Sequence, residues 1–243
     1  DDDQDSFHSL DDYTGRMVDG QNEIYYIIAD DIHSARRSPH LDAFRQRGIE
    51  VLYFTDAVDA MLPMGLTEYK GYTLRAVDES DIDLTDVGEA PEAPEEQEPL
   101  ETDTFESLVD RVKAVLGDRV SGVRQSEKLV GSPARLVSEG NDQNRHMFRI
   151  NRLVGREYNL PVKTLELNPR HPLLHNISNM LANNGDNPLI DVVIEQVFET
   201  ALLQDGIHPD PASMAQRITA LMQAATGGAV DFNALAPEKS AEE

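Results

Sequence analysis

The fold of the first part of the chain is decided by the stretches Glu23-Ile-Tyr-Tyr-Ile-Ile-Ala29, Ser38-Pro-His-Leu-Asp-Ala-Phe-Arg-Gln-Arg-Gly48 and Ile49-Glu-Val-Leu-Tyr-Phe54. The first is continuously apolar and rich in β-favouring residues, which predicts a strand buried on both faces. The Ser-Pro start and Gly end of the second predict a helix. The third predicts another strand. A strand, a helix and a strand over so short a distance form a βαβ unit, so we expect the strands to be parallel.

The rest of this part carries shorter signals. Leu41 and Phe44 lie three positions apart, so we expect both to pack on the inner face of the helix. A short helix is predicted over Val58–Leu62, and the turn pair Lys70-Gly71 predicts a small hairpin. These elements together predict a small α/β subdomain with a short parallel sheet.

Net charge excludes several classes of partner. The chain has 243 residues, with 21 Lys and Arg against 45 Asp and Glu, which gives a formal net charge of −24. Binding to nucleic-acid phosphates or to anionic membranes needs clustered basic residues, so we expect neither partner. The chain has no Cys, which excludes disulfides and thiolate sites, and no apolar window of about 18 residues that would span a membrane. This composition predicts a soluble cytoplasmic protein.

An acidic stretch divides the chain. Between Ala76 and Asp110 there are 14 Asp or Glu and no Lys or Arg. Its centre, Glu89-Ala-Pro-Glu-Ala-Pro-Glu-Glu-Gln-Glu-Pro-Leu-Glu101, contains prolines that disfavour both helix and sheet. We therefore predict a first domain over 1–81, an exposed Pro-rich linker over 82–103, a second domain over 104–226 and a disordered tail over 227–243.

The segment after the linker has the pattern of an α+β domain. Apolar residues recur at helical spacing over Thr104–Leu116. Two strand patterns, Val120–Leu129 and Ala134–Val137, predict an antiparallel hairpin. A helical stretch over Gln143–Val154 and a strand over Lys163–Leu167 follow.

The last third of the chain is helical and apolar. Helices are predicted over Pro172–Leu181, Leu189–Leu203 and Pro211–Ala225. The middle helix is apolar around most of its circumference. One small domain has too few other helices and strands to cover so much apolar surface. We therefore expect two chains to form an isologous four-helix bundle rather than a purely intramolecular core. The predicted dimer-interface residues are Leu189, Val193, Val197, Phe198, Leu202, Met214, Ile218, Leu221 and Met222.

Catalytic motifs are scarce. The chain contains no phosphate-binding loop, dinucleotide fingerprint, His-Glu-x-x-His pair or Gly-x-Ser-x-Gly elbow. Asp30, Asp31 and Asp56 follow the two parallel strands, where carboxylates could hold Mg²⁺, although Asp at such positions routinely caps turns and helices. His171 and His175 are four apart with a proline between them, and we interpret them as ordinary helix-start residues. We predict no catalytic residue and no metal ligand.

Residues 145–154 carry one further pattern. Met147, Ile150 and Val154 fall on one helical face, with Phe148 beside them. Spacing alone favours ordinary core residues, whereas an exposed Met-containing face would suit apolar partners of varied shape.

Short motifs occur in a fixed order along the chain. In the first part they are Ser9-Leu-Asp-Asp-Tyr-Thr-Gly-Arg-Met-Val-Asp-Gly-Gln-Asn-Glu-Ile-Tyr-Tyr-Ile-Ile-Ala-Asp30, Ser38-Pro-His-Leu41, Gly48-Ile-Glu-Val-Leu52, Asp56-Ala-Val-Asp59 and Leu66-Thr-Glu-Tyr-Lys-Gly71. After the linker they are Arg111-Val-Lys-Ala-Val-Leu-Gly-Asp-Arg-Val120, Leu129-Val-Gly-Ser-Pro-Ala134 and Leu165-Glu-Leu-Asn-Pro-Arg-His-Pro-Leu173. This collinear set, which runs with gaps from Ser9 to Met222, resembles the heat-shock protein 90 family of chaperones, bacterial HtpG type.

The resemblance implies an ATP-driven chaperone dimer, of which this chain would hold the small α/β/α end of the middle segment and the C-terminal dimerisation domain. ATP and Mg²⁺ would belong to the full-length protein, so this chain is expected to bind no cofactor and to be no enzyme by itself. The last helices fit the family's four-helix dimer contact. The family's client contacts map onto Met147 and Ile150 in the amphipathic helix and onto Met61 in the middle segment. With the neighbouring apolar positions, the predicted client-binding residues are Met147, Ile150, Val154, Phe148 and Met61.

We therefore predict an α/β plus α+β chain: a small α/β/α subdomain with a short parallel sheet, then a C-terminal α+β domain with a helical dimerisation bundle. Its expected partners are a second copy of itself and non-native client proteins. Two alternatives stay open. One is a Mg²⁺-dependent phosphoryl-transfer enzyme that uses Asp30, Asp31 and Asp56, and the other is a passive dimerisation scaffold.

Overall fold

The computed structural model describes residues 9–89, 97–138 and 160–235. They form two compact units with mixed helices and strands. The first unit contains 9–89 with 137–138 and 160–161, and the second contains 97–136 and 162–235. Among the described residues, no helix is long and apolar enough to cross a membrane.

The first unit is built on a four-stranded sheet in the order β2-β1-β4-β3. Strand β1 pairs in parallel with both β2 and β4, and β3 runs antiparallel to β4. The parallel β1–β2 pair and the β3–β4 hairpin are confirmed. The elements are α1 (Leu10–Gly15), β1 (Glu23–Ile28), α2 (Ile32–Arg36), a 3-10 turn (Pro39–Leu41), α3 (Asp42–Gln46), β2 (Leu52–Phe54), a second 3-10 turn (Ala57–Met61), α4 (Leu62–Gly65), β3 (Glu68–Tyr69) and β4 (Tyr72–Ala76).

The connection between β1 and β2 contains more helix than the sequence predicts. The helix predicted from Ser38 is a 3-10 turn, Pro39–Leu41, followed by α3, and Ser38 caps that turn because its side chain accepts a hydrogen bond from the backbone N–H of His40. The unexpected helix is α2, whose N-terminus is capped by Asp31. With five residues, α2 is too short to show an apolar stripe, so the capping residue Asp31 was the main indication of this helix in the sequence.

Strand β1 separates two apolar clusters. One face packs Tyr25 and Ile27 with Leu41 and Phe44, and the opposite face packs Ile24 and Tyr26 with residues of β4. Alternate residues of a strand point to opposite faces, so a strand covered on both sides reads as a continuous apolar run. The predicted burial of β1 on both faces is confirmed.

The prediction of an exposed linker is wrong for its first residues. Ile82, Leu84 and Val87 are buried in the core of the first unit, where they pack with Phe44 and Tyr25. The acids of this stretch alternate with apolar residues, so the carboxylates face solvent while the apolar side chains point inward. Composition counted over a long window hides that alternation. The domain boundaries themselves stay predictions.

The second unit contains a three-stranded sheet in the order β5-β7-β6, with β5 and β7 parallel. The predicted antiparallel hairpin of β5 and β6 is therefore wrong. Strand β7 lies between them, and the segment that joins them is tied to the end of β7, where Ser126 N donates to Leu167 O at 2.8 Å and Asn168 N donates to Pro133 O at 2.9 Å. The elements are α5 (Thr102–Leu116), a 3-10 turn (Gly117–Arg119), β5 (Val120–Gln125), β6 (Ala134–Val137), β7 (Lys163–Leu167), α6 (Pro172–Asn184), α7 (Pro188–Gln204), a 3-10 turn (Pro211–Ser213), α8 (Met214–Ala225) and a last 3-10 turn (Phe232–Ala234).

The predicted helices α5, α6, α7 and α8 are present with bounds close to those expected. The helical stretch predicted over 143–154 lies outside the described residues. Part of the tail predicted to be disordered is described, and Asp231 caps a 3-10 turn there.

Candidate functional site

An apolar surface is exposed on the first unit, on the segment from Ala57 to Gly65. Val58 is 69% exposed, Met61 57%, Leu62 40% and Met64 53%. We call these four side chains the Met61 surface. Contiguous exposed apolar side chains are a feature of contact surfaces for other proteins.

The local backbone explains why these side chains point outward. Val58 and Met61 are three apart in the 3-10 turn, so they lie on the same side of it, and Met64 follows three residues later in α4. Ala60 is 3% exposed and anchors the turn to the unit. The backbone N–H of Asp56 donates to a carboxylate oxygen of Asp59 at 3.0 Å, which holds the start of the turn. The geometry presents flexible thioether side chains that can adapt to different apolar partners.

The structure does not support the magnesium alternative. Asp31 accepts hydrogen bonds from the backbone N–H groups of His33 and Ser34, so its carboxylate caps α2. The hydroxyl of Ser34 also donates to this carboxylate at 2.7 Å, and this bond, together with those from the backbone, lowers the pKa of Asp31 because it favours the charged form. Asp56 begins the next turn as part of a capping box with Asp59. Within the described ranges, no group of three His, Asp or Glu side chains could hold a metal ion.

The predicted dimer-interface residues separate into three groups. Val197, Phe198, Leu202 and Met214 are buried within the chain itself, Leu189, Val193 and Leu221 are half-buried, and Ile218 and Met222 are 38% and 56% exposed. Leu203, which the prediction omitted, is 47% exposed. The most exposed large apolar side chains of α7 and α8 are therefore Leu203, Ile218 and Met222, which we call the Met222 surface.

The buried face of α7 carries charge as well as apolar residues. Arg119, in the turn after α5, binds Glu195 of α7 with both terminal guanidinium nitrogens, and the Nη2 to Oε2 distance is 2.6 Å. This contact raises the pKa of Arg119. The same guanidinium lies 5.3 Å from the ring centroid of Phe198. Sequence reasoning missed this pair, although the regular spacing of acids on α7 was a signal.

A second buried charge cluster lies at β7. Arg135, which is 1% exposed, donates to Glu166 at 2.8 Å, and Arg124 and Ser126 bind the same carboxylate. Burial by itself would raise the pKa of Glu166, but the charge of Arg135 and the hydrogen bonds from Arg124 and Arg135 lower that pKa below its usual value. The cluster holds β5, β6 and β7 together.

Four of the five predicted client-binding residues, Met147, Phe148, Ile150 and Val154, lie outside the described residues. The fifth, Met61, is at the centre of the Met61 surface. The remaining surface members, Val58, Leu62 and Met64, were missed because the spacing of apolar residues in a short segment does not tell whether they face the core or solvent.

Comparison with known proteins gives a consistent result. The chain is 35% identical over 229 residues to the chaperone protein HtpG of Oleidesulfovibrio alaskensis, which covers 93% of this chain and 36% of that protein. It is 37% identical over 219 residues to the chaperone protein HtpG of Colwellia psychrerythraea, covering 90% of this chain and 33% of the relative. It is 38% identical over 217 residues to the chaperone protein HtpG of Psychromonas ingrahamii, covering 89% of this chain and 33% of the relative.

The chain thus spans about a third of the length of the curated relatives it matches. The family model described as Hsp90 protein matches residues 1–243. From the collinear motifs, the identities and this match over the whole chain, we conclude that the protein belongs to the Hsp90 family of chaperones.

Proposed function

We propose that this chain is the dimerising and client-contacting portion of an HtpG-like, ATP-dependent chaperone. It would act in the cytoplasm on non-native proteins during folding, and the ATP-binding domain would lie in a part of the full-length protein that this chain does not contain. The observation that carries the proposal is the Met61 surface, because four apolar side chains exposed within one short segment offer a weak, adaptable contact for unfolded chains.

Dimerisation would supply the second half of the mechanism. A contact through α7 and α8 would cover the Met222 surface and hold two client-contacting arms together. Two linked arms raise the effective concentration of one client site near the other. The net charge of −24 would additionally favour clients of basic character.

Client contact is tested by titrating the chain with reduced, carboxymethylated lactalbumin, a permanently unfolded protein. We expect Met61→Asp to weaken its binding at least fivefold, because a carboxylate at the centre of the surface opposes burial against an apolar segment. Val162→Asp is the matched control, since Val162 is also 57% exposed but lies outside the surface. Equal affinity of Met61→Asp and the unmodified chain would contradict the assignment of this surface.

The second part of the client surface stays a prediction. Met147→Asp combined with Ile150→Asp is expected to weaken the same binding without unfolding the chain. Dimerisation itself is tested by light scattering over a dilution series, where we expect a species near twice 27.0 kDa. A passive scaffold would dimerise but would not bind the unfolded protein.

A further inference from the structure

Methionine carries all the side-chain sulfur of this chain. The sequence contains seven Met and no Cys. Oxidants that react with sulfur therefore have only thioethers as targets here, and they convert a thioether to a sulfoxide. The conversion matters most where a Met side chain is both exposed and used for an apolar contact, because the sulfoxide is polar whereas the thioether is not.

The described methionines differ widely in exposure. Met61, Met64 and Met222 are 57%, 53% and 56% exposed, whereas Met214 is 3% exposed. Oxidation of a methionine depends on the access of the oxidant to its sulfur. The three exposed side chains should therefore react in the folded chain, whereas Met214 should react only when the second unit opens.

Two of the exposed methionines belong to the Met61 surface. Met61 ends the 3-10 turn, and Met64 lies in α4, a helix with no buried residue. The turn is anchored to the unit through the buried Ala60, and neither thioether is part of the core. An oxygen atom added to either sulfur should therefore lie in solvent, so we expect the first unit to stay folded after oxidation.

Oxidation would change the polarity of this surface. Hydrogen peroxide transfers one oxygen atom to the Sδ atom of a methionine: the sulfur loses two electrons, the O–O bond breaks, and the other oxygen leaves as water. The sulfoxide oxygen is a hydrogen-bond acceptor, and burying it against an apolar segment that offers no donor is costly. Two of the four side chains of the Met61 surface would then oppose apolar contact, while Val58 and Leu62 would be unchanged.

From the exposure and placement of these side chains, we propose that Met61 and Met64 are a modification site that regulates the Met61 surface. Conversion of both thioethers to sulfoxides by a peroxide weakens the contact with apolar clients. Methionine sulfoxide reductases reverse the change, since they remove the oxygen as water while two thiols are oxidised to a disulfide. This inference rests on the proposed client contact.

The regulation is tested by titrating the whole chain with reduced, carboxymethylated lactalbumin before and after treatment with hydrogen peroxide, which is removed before the titration. Peptide mass spectrometry locates the sulfoxides, and we expect Met61 and Met64 to be converted while the buried Met214 stays a thioether. The affinity should fall about fivefold, because the sulfoxide oxygens oppose apolar burial. It should return after treatment with methionine sulfoxide reductases and dithiothreitol.

Two variants locate the effect, and each is compared with itself before and after treatment. Met61→Leu combined with Met64→Leu keeps the surface apolar but removes both sulfurs, so its affinity should change by less than about twofold on treatment. Met222→Leu is the matched control, because it removes a comparably exposed thioether that lies outside the Met61 surface. Its affinity should fall on treatment as much as that of the unmodified chain. Circular dichroism shows whether each treated chain is folded.

The outcomes separate this inference from the proposed function. A chain that binds no unfolded protein before treatment would overturn the client contact and the regulation together. Binding that is unchanged after Met61 and Met64 are converted would overturn the regulation and leave the client contact standing. An equal loss in the double variant would place the sensitive group elsewhere, and a loss that accompanies unfolding or resists reduction would reflect damage to the chain. Each of these results would also overturn the regulation.

Discussion

The cores of the two units differ in what they bury. In the first unit, aromatic rings make the central contacts: Tyr25 and Phe44 meet edge to face with centroids 4.9 Å apart, and Tyr26 stacks on Phe54 at 5.1 Å. Among the described Asp, Glu, Lys and Arg residues, Glu79 is buried in the first unit, whereas the second unit buries Arg135, Lys163, Glu166, Asp191 and Glu195.

This difference has consequences for stability. Apolar burial is proportional to area and tolerates small shifts, because it depends little on direction. A buried ion pair contributes little net stability as a pair, but removing one partner leaves a charge in a poor environment. We therefore expect the second unit to respond to single charge changes and to pH more strongly than the first.

The largest expected effect is at the charge cluster of β7. Arg135→Ala should destabilise the second unit by about 3–5 kcal/mol, because it leaves the buried carboxylate of Glu166 with only partial compensation. Arg124→Ala removes a cation from the same carboxylate, but the Arg124 side chain is 49% exposed, so the expected loss is below about 1 kcal/mol. Hydrogen exchange measures the free energy of unfolding of each unit separately and checks this prediction.

A double variant makes this prediction sharper. Arg135→Met with Glu166→Gln removes both charges, so it should recover most of the stability lost in Arg135→Ala. If it is as unstable as Arg135→Ala, an unpaired charge does not explain the loss, because the double variant contains neither charge, and the proposed contrast between the two cores is contradicted.

An intermediate effect is expected at a buried polar network in the core of the first unit. The hydroxyl of Tyr13 donates to Glu50 O at 2.8 Å and accepts hydrogen bonds from Gln21 Nε2 and Tyr25 N. Burial raises the pKa of Tyr13 to about 12. Tyr13→Phe should cost about 1–3 kcal/mol in urea unfolding, because it leaves buried groups without partners.

The matched control for Tyr13 is Tyr69. Its hydroxyl also donates a hydrogen bond, to Asp11 at 2.8 Å, but at an exposed position. Tyr69→Phe should therefore leave the urea midpoint almost unchanged. Equal losses for the two variants would show that the first core does not depend on its buried hydroxyl.

The smallest expected effect is a pH dependence in the second unit. His171 caps α6 by accepting a hydrogen bond from the backbone N–H of Leu173 through Nδ1, and burial lowers its pKa. The unfolded chain then binds the proton more readily than the folded one, so stability is complete above about pH 6.5 and falls as pH drops toward the lowered pKa. Glu166, whose pKa is lowered by Arg135, contributes stability that is lost only at lower pH, below about 4.5.

Thermal unfolding at pH 7.5 and 5.5 measures the His171 contribution. His171→Asn retains a cap that does not titrate, so it should flatten the dependence in this window. An unchanged slope in His171→Asn would assign the dependence to another group.

Much of the first unit follows from short-range signals. The β3–β4 hairpin was predicted from Lys70-Gly71, and both residues have positive φ, at 52° and 86°. A two-residue hairpin turn of this kind needs that backbone, which Gly adopts without strain. The buried strand β1 was likewise predicted because its apolar run is visible within seven residues.

The candidate site was predicted less completely. Met61 came from a family resemblance, and its neighbours Val58 and Met64 emerged once the turn geometry was known. The exposed Leu203 could not be told from the buried Leu202, because two adjacent leucines carry the same local signal. Burial depends on which side of a helix other elements cover.

The parallel strand pair, the hairpin and the positions of the long helices could be predicted from the amino-acid sequence, because caps, turns and periodicity act within a few residues, and the collinear motifs indicated the family. Packing between distant elements places β7 between β5 and β6, buries Ile82 and brings Arg119 to Glu195. Arg119 and Glu195 are 76 residues apart in sequence. Contacts between such distant residues follow from how whole elements pack, and no short stretch of sequence records that packing.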